Sequence, residues 1–340
     1  MASRIGGSAR WVSLSALLFL VALLSLLPPG LLAERSRAAG ALSGGGGGRR
    51  VLLVVIDRIG VEDLSECELV LPNLFGLMKK GGTGLLNVRM KYGTYGLGSY
   101  LVMGAGGRVL GDEGAWCAYN WDETLARLQG RPVTAAEEYR SRTGREPEAG
   151  SVLNLNIVEM MNGSRNVLAT SSAGLLGQTL RKAGKTSCLL GNADYLEIEG
   201  REFPGRGREM VFPKKALEGG PAVVVPQRQS SCIAMDENGT CSGDVSQRMS
   251  RIIPGGLGVW TDFEALIDSA LQAFKSHDLV VVDTGDTARV DRLAGFTARS
   301  RLLREKRRAL IQCDRALGRL LSAVDLSRDM VMVCAPTPSQ

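Results

Sequence analysis

Histidine is nearly missing from this chain: its 340 residues contain one, His277. A centre that needs two or three imidazoles cannot be assembled from these residues alone. The seven cysteines include no Cys-x-x-Cys pair, and an odd number defeats a complete disulfide set. A general positive field is missing too, despite a net charge of +6. Arg4, Arg10, Arg35, Arg37, Arg49 and Arg50 face only Glu34 within residues 1–50, so five of those six charges sit at the amino end. A nearly neutral body offers no broad attraction to polyanions, which argues against a nucleic-acid partner. What remains has ordinary proportions: 44% hydrophobic and 22% charged residues exclude wholesale disorder, a collagen-like fibre and a polytopic membrane protein. The 43 glycines suit an α/β fold with many tight turns better than a helix bundle.

Residues 1–40 read as a targeting segment. Arg4 and Arg10 precede an apolar run from Trp11 to Leu27 that is broken by Pro28-Pro29-Gly30. A positive start followed by such a run marks a secretory signal or a retained membrane anchor, and its borderline length leaves both open. Residues 41–49, with five consecutive glycines, form a tether. The domain proper, 50–340, is therefore expected outside the cytoplasm, either secreted or held to the membrane by its N-terminal segment.

Within that domain, short apolar runs alternate with amphipathic ones. Arg50–Ile56, Thr186–Leu190, Asp278–Val282 and Met330–Val333 predict strands buried on both faces. Pro72–Lys80, Ala173–Ala183 and Phe263–Phe274 predict helices. Leu303, Leu310, Leu317 and Val324 recur every seven residues and predict one long helix. Alternation of this kind implies a mostly parallel sheet covered by helices on both faces, with ligands at the carboxyl ends of the strands. Asp57, Asp194, Asp283 and Asp286 all fall at such ends. The polar stretch 112–162, with few buried-strand signals, is expected to be an insertion or cap. Cys232 and Cys241 flank a turn at Asn238-Gly239 and are candidates to pair after export. His277 precedes its strand, at the end away from Asp283, and reads as structural.

Asp57 directly follows the first strand, where a carboxylate either holds a metal or caps a turn. Asp283 and Asp286 share a loop and stand three residues apart, close enough to bind one hard cation or bracket two, or simply to solvate a turn. Thr94 precedes a short helix predicted over Tyr95–Met103. A hydroxyl there either caps the helix or serves as a nucleophile beside an anion held at the helix start.

Four stretches, VLLVVIDRIG, LPNLFGLMKKGG, GTYGLGSYLVMG and DLVVVDTGD, occur in an order that resembles the alkaline phosphatase superfamily, including its phosphodiesterases and cofactor-independent phosphoglycerate mutases. The resemblance spans about Arg50 to Val333. It implies an alkaline phosphatase-like α/β fold with Asp57 as first metal ligand, Thr94 as nucleophile, and Asp283 with Asp286 as the later metal cluster. Thr94 stands ten residues before Gly104, the spacing seen in the phosphodiesterases. The departures are equally specific. The family's Asp-x-x-x-Gly-His becomes DTGDTARVD, with Arg289 in the neighbourhood of the histidine and hence a candidate substrate contact. The Asp-His-Gly expected after the last strand is replaced by CAPTPSQ, so the domain reads as incomplete at its carboxyl end. Oxygen ligands alone favour Mg²⁺, Mn²⁺ or Ca²⁺ over Zn²⁺. The resemblance thus implies an exported, metal-dependent hydrolase of phosphate mono- or diesters. The alternatives are an inactive envelope protein binding an anionic ligand on the same fold, and a phosphomutase-type transferase.

Overall fold

The computed structural model describes residues 49–65, 67–85, 98–107, 109, 115–126, 131–165, 171–197, 212–213, 223–253, 258–294 and 297–339. The N-terminal apolar run, the glycine tether and Thr94 lie outside them. In chain order the elements are β1 (Val51–Val55), α1 (Val61–Leu64), α2 (Pro72–Lys80), α3 (Gly98–Ala105), β2 (Ala118–Asn120), β3 (Thr124–Ala126) and β4 (Val133–Thr134). There follow α4 (Ala135–Thr143), β5 (Ser151–Asn154), α5 (Ile157–Arg165), α6 (Leu175–Lys182), β6 (Ser187–Gly191), β7 (Tyr195–Glu197), β8 (Phe212–Pro213), β9 (Val223–Val225), α7 (Ser231–Ala234) and β10 (Thr240–Asp244). The chain then runs through β11 (Ser250–Ile253), β12 (Gly258–Thr261), α8 (Phe263–Phe274), β13 (Leu279–Asp283), α9 (Asp286–Asp291), α10 (Arg299–Ser322) and β14 (Met330–Cys334).

A seven-stranded sheet carries the fold, in the order β14-β1-β13-β6-β10-β5-β2. The first five strands are mutually parallel, whereas β5 runs antiparallel to both of its neighbours. The alternation along β1 shows why both faces need cover. Leu52, Val54 and Ile56 point into one core with Leu74 of α2, Ile267 of α8 and Leu317 of α10. Leu53 and Val55 point into the other with Tyr100 and Leu101 of α3 and Ile233 of α7. On the first face Asp314 of α10 accepts the Leu74 N–H at 2.7 Å and the Asn73 side-chain amide at 2.8 Å, supplying a carboxylate to the amino end of α2.

The predicted strands and helices around β1, β6, β13, β14, α2, α6, α8 and α10 appear within a residue or two of their expected limits, except that α10 starts four residues before Leu303. The stretch 112–162, expected to be an insertion or cap with few buried-strand signals, carries four strands. Its β2 and β5 join the central sheet beyond β10, so this segment widens the sheet. The link is β10, TCSGD, a strand with little apolar character. Gly243 sits there at φ +141°, and a Cβ would lie 1.8 Å from the Leu189 carbonyl, so only glycine fits against β6. Cys232 and Cys241 are both buried free thiols and are not paired. His277 closes the turn after α8, with Nδ1 against the Ala273 carbonyl at 3.0 Å. No helix among the described residues is long and apolar enough to cross a membrane.

Candidate functional site

Parallel strands bring their carboxyl ends to one edge, and here those ends deliver four aspartates. Val55 of β1 lies opposite Asp283 of β13, so Asp57, two residues further on, leaves the sheet beside Asp283. Both are buried. Thr337, just past β14, donates to Asp57 through its N–H (2.7 Å) and its hydroxyl (2.6 Å). Ser230 donates its hydroxyl to Asp283 Oδ2 at 2.6 Å, and the Gly285 N–H donates to Oδ1 at 3.1 Å. Gly285 has φ +66°, and a Cβ there would meet the Asn192 carbonyl at 2.1 Å, so glycine is required at this turn.

Burial pushes the Asp283 carboxyl up to about 6; the negative charge of Asp57 adds to the rise, while Ser230, Arg289 and the Gly285 N–H oppose it. Tyr100, on the third residue of α3, is buried against the same pair. Desolvation, then the charges of Asp57 and Asp283, hold its phenol well above the ordinary value, so it stays protonated. The helix predicted over Tyr95–Met103 is described from Gly98 and continues through Gly104 to Ala105. Thr94 falls outside the described residues, four positions before Gly98.

Asp286 and Arg289 make a separate unit. Arg289 uses all five of its N–H groups: Nε donates to the Asp194 carbonyl, Nη1 to Thr261 Oγ1 and Asp286 Oδ1, and Nη2 to the carbonyl and side-chain oxygens of Asn192. These contacts span 2.6–2.9 Å, and the side chain is 1% exposed. Arg289, expected to touch substrate, is thus saturated inside the protein as the counterion of Asp286. Asp286 Oδ1 also accepts the Thr261 N–H at 2.8 Å, while Oδ2 is buried with no hydrogen-bond partner among the described residues.

A second saturated arginine explains Asp194. Arg228 is fully buried and donates to both Asp194 oxygens, both Glu123 oxygens and the Ala118 carbonyl. Its short contacts include 2.6 Å to Glu123 and 2.9 Å to Asp194. Arg228 therefore ties the segment between β2 and β3 to the end of β6. Sequence reasoning missed it because Glu123, Asp194 and Arg228 have no common periodicity.

Two more arginines, Arg58 and Arg292, lie near these groups and have fewer hydrogen-bond acceptors among the described residues. Arg58, directly after Asp57, is held at φ +59°, a left-handed conformation that costs a non-glycine residue about 1–2 kcal/mol. Its guanidinium lies 3.8 Å from Asp57 and 3.7 Å from Asp291, beyond hydrogen-bonding distance. Arg292 donates to Gln227 Oε1 and stacks 4.3 Å from the centre of the Tyr195 ring. Burial pushes its pKa down; the neighbouring Arg58 adds to the fall, while Tyr195, Asp291 and Tyr100 oppose it. The sequence signal for Arg58 was its place in the turn after β1; Arg292 was hidden in a run of basic residues.

As for a cation, Asp57 accepts from Thr337 and is hydrogen-bonded by Tyr100, and Asp283 accepts from Ser230 and Gly285, so these partners hold both carboxylates in fixed orientations without using all of a carboxylate's about four acceptor positions. The described residues contain no group of three His, Cys, Asp or Glu side chains suited to a metal. The arrangement fits an ion that takes one or two carboxylates and completes its shell with water and substrate phosphate, the habit of Mg²⁺. Asp286, already neutralised by Arg289, stands apart from this pair except through its unpartnered Oδ2. No protein-family model matches the chain, and no curated protein matches it either.

Proposed function

We propose that this chain is a metal-dependent phosphate-ester hydrolase on an alkaline phosphatase-like fold, acting outside the cytoplasm after export or anchoring by residues 1–40. The observation that carries the reading is the Asp57–Asp283 pair: two buried carboxylates from adjacent parallel strands which, among the described residues, have no guanidinium or ammonium within hydrogen-bonding distance, the nearest to Asp57 being Arg58 at 3.8 Å. Such a pair is costly to bury unless a cation compensates it. Asp57 and Asp283 would hold that cation, with Asp286 contributing its free Oδ2 to the field. A bound Mg²⁺, Mn²⁺ or Ca²⁺ supplies charge neutralisation at the phosphoryl oxygens and favours the ionised form of a nucleophilic hydroxyl.

Thr94 is the nucleophile in this reading. Thr94 precedes by four positions in sequence the helix α3, whose Tyr100 is buried against Asp57 and Asp283. Its Oγ forms a bond to phosphorus as the ester P–O bond breaks, and its proton ends on the leaving alcohol. Water then cleaves the phosphothreonine, releasing phosphate and restoring the hydroxyl. Tyr100 remains protonated and keeps a donor beside Asp57.

The binding-only alternative draws on Arg289, which already gives Asp286 a resident cation. Metal content of the full chain, equilibrated with Mg²⁺, Mn²⁺ or Ca²⁺ and freed of excess ion, tests the main reading. It expects one or two retained ions, lost in Asp57→Asn and Asp283→Asn, and turnover of nitrophenyl phosphate esters that Thr94→Ala abolishes without unfolding. A folded protein with neither retained metal nor turnover would leave the binding-only reading in its place.

A further inference from the structure

Three arginines at this edge of the sheet have most of their guanidinium surface inside the protein, and they differ in one respect. Arg228 and Arg289 spend every N–H on protein oxygens, as described above. Arg292 does not: among the described residues Gln227 Oε1 is its one hydrogen-bond acceptor, and the rest of the guanidinium is left to the Tyr195 ring face. Arg58 is similar, since its two carboxylate neighbours stand at 3.7 and 3.8 Å and its side-chain N–H groups have no closer acceptor among the described residues. The two cations share a neighbour: Arg58 lies beside Asp291, the residue preceding Arg292 in α9.

Bringing two under-used guanidinium groups together is unfavourable by itself, because like charges repel and desolvation weakens each one. The fold accepts this cost and adds a second at Arg58, whose backbone sits in the left-handed region. Both groups are positioned from outside. Gln227, which orients Arg292, is held at the end of β6 by its N–H donating to Asp194 and its carbonyl accepting from Ala193. The Arg58 N–H donates to the Thr337 carbonyl, next to the groups that hold Asp57.

We propose that Arg58 and Arg292 form an anion clamp that grips the phosphoryl group at the Asp57–Asp283 pair. The inference rests on the functional reading above but assigns the binding role to residues other than Arg289. A planar fork suits two oxygens of a tetrahedral phosphoryl group, and two forks, one after β1 and one at the end of α9, hold a dianion better than a monoanion. The ligand class is therefore a terminal phosphoryl group, as in a phosphate monoester or inorganic phosphate, in preference to a diester.

The test is calorimetric titration of inorganic phosphate into the full chain in mild detergent, once with chelator and once with Mg²⁺. Wild type should bind in both conditions. Arg292→Gln and Arg58→Gln should each weaken binding by about ten- to a hundred-fold, the loss expected for charge-assisted hydrogen bonds. Arg292→Lys, which keeps the charge, should recover part of it, and Arg315→Gln, exposed on α10, should match wild type. Thermal melts establish that each variant is folded; if Arg292→Gln unfolds, Arg292→Lys and Arg58→Gln decide. Unchanged phosphate affinity in folded Arg58 and Arg292 variants, or no binding by wild type in either condition, overturns the clamp. Phosphate binding that depends on both arginines, in a protein without turnover, keeps the clamp and removes the hydrolase. Turnover whose KM ignores both arginines does the reverse.

Discussion

Replacing Arg228 by Met tests the buried charge network most directly. The side chain is fully buried between Asp194 and Glu123, and burial alone would lower its pKa; the two carboxylates overcome that and hold it well above the ordinary value. The substitution keeps much of the volume but strands Asp194, itself fully buried, with the Gln227 N–H at 2.8 Å as its hydrogen-bond donor among the described residues. Breaking a buried ion pair from one side costs about 3–5 kcal/mol. At about 2–4 °C per kcal/mol for a domain of this size, the melting temperature should fall by about 6–20 °C. Urea unfolding followed by circular dichroism measures the change, and the slope with urea should stay constant. The double variant Arg228→Met with Asp194→Asn should recover part of the loss, because it removes the stranded charge. A single variant within about 1 kcal/mol of wild type would refute the reasoning, since it would mean that Asp194 reaches water despite its burial.

Further outcomes follow from other contacts. Arg50 pairs with Asp329 at 2.7 Å between the starts of β1 and β14, and this hydrogen bond holds the Asp329 carboxyl below its usual value. Asp329→Asn should cost about 1 kcal/mol, given the partial exposure of Arg50. A depressed carboxyl contributes its stability above the unfolded value and loses it as pH falls through the folded one, so the difference between wild type and Asp329→Asn should be constant at neutral pH and shrink progressively as pH falls below about 4. Gly243→Ala should destabilise by at least about 2 kcal/mol, because it combines a disfavoured backbone with the Leu189 carbonyl clash; an unchanged urea midpoint would argue against that register. Burial pushes the Cys188 and Cys232 thiols up to about 12, so thiol reagents at pH 8 should modify them only after denaturation, whereas partly exposed Cys67 reacts in the native protein.

Some of this was legible in the residues because the signals are local. VLLVVI, LVVVD and the seven-residue leucine repeat each declare their element through neighbours within one or two turns. Asp57 and Asp283 could be placed at strand ends for the same reason. The strand TCSGD could not: its residues are polar or small, and it is a strand because β6 and β5 flank it and Gly243 lets it approach. The stretch 112–162 was hard to read for the same reason, since its β2 and β5 reach the central sheet only through β10.

The arginines divide along the same line. Sequence order placed Arg289 next to Asp286 and suggested a substrate contact, but whether a guanidinium is free depends on how many oxygens surround it. Three of the oxygens that saturate Arg289 belong to Asn192 and Asp194, about a hundred positions away in the chain. The sequence by itself determined the alternation of strands and helices, and with it the edge where the aspartates emerge, because hydrophobic periodicity acts over a few residues. Only the tertiary structure decided that Asp286 and Asp194 are paired with saturated arginines while Asp57 and Asp283 are held mainly by hydroxyl and N–H donors, because charge compensation is settled by neighbours in space.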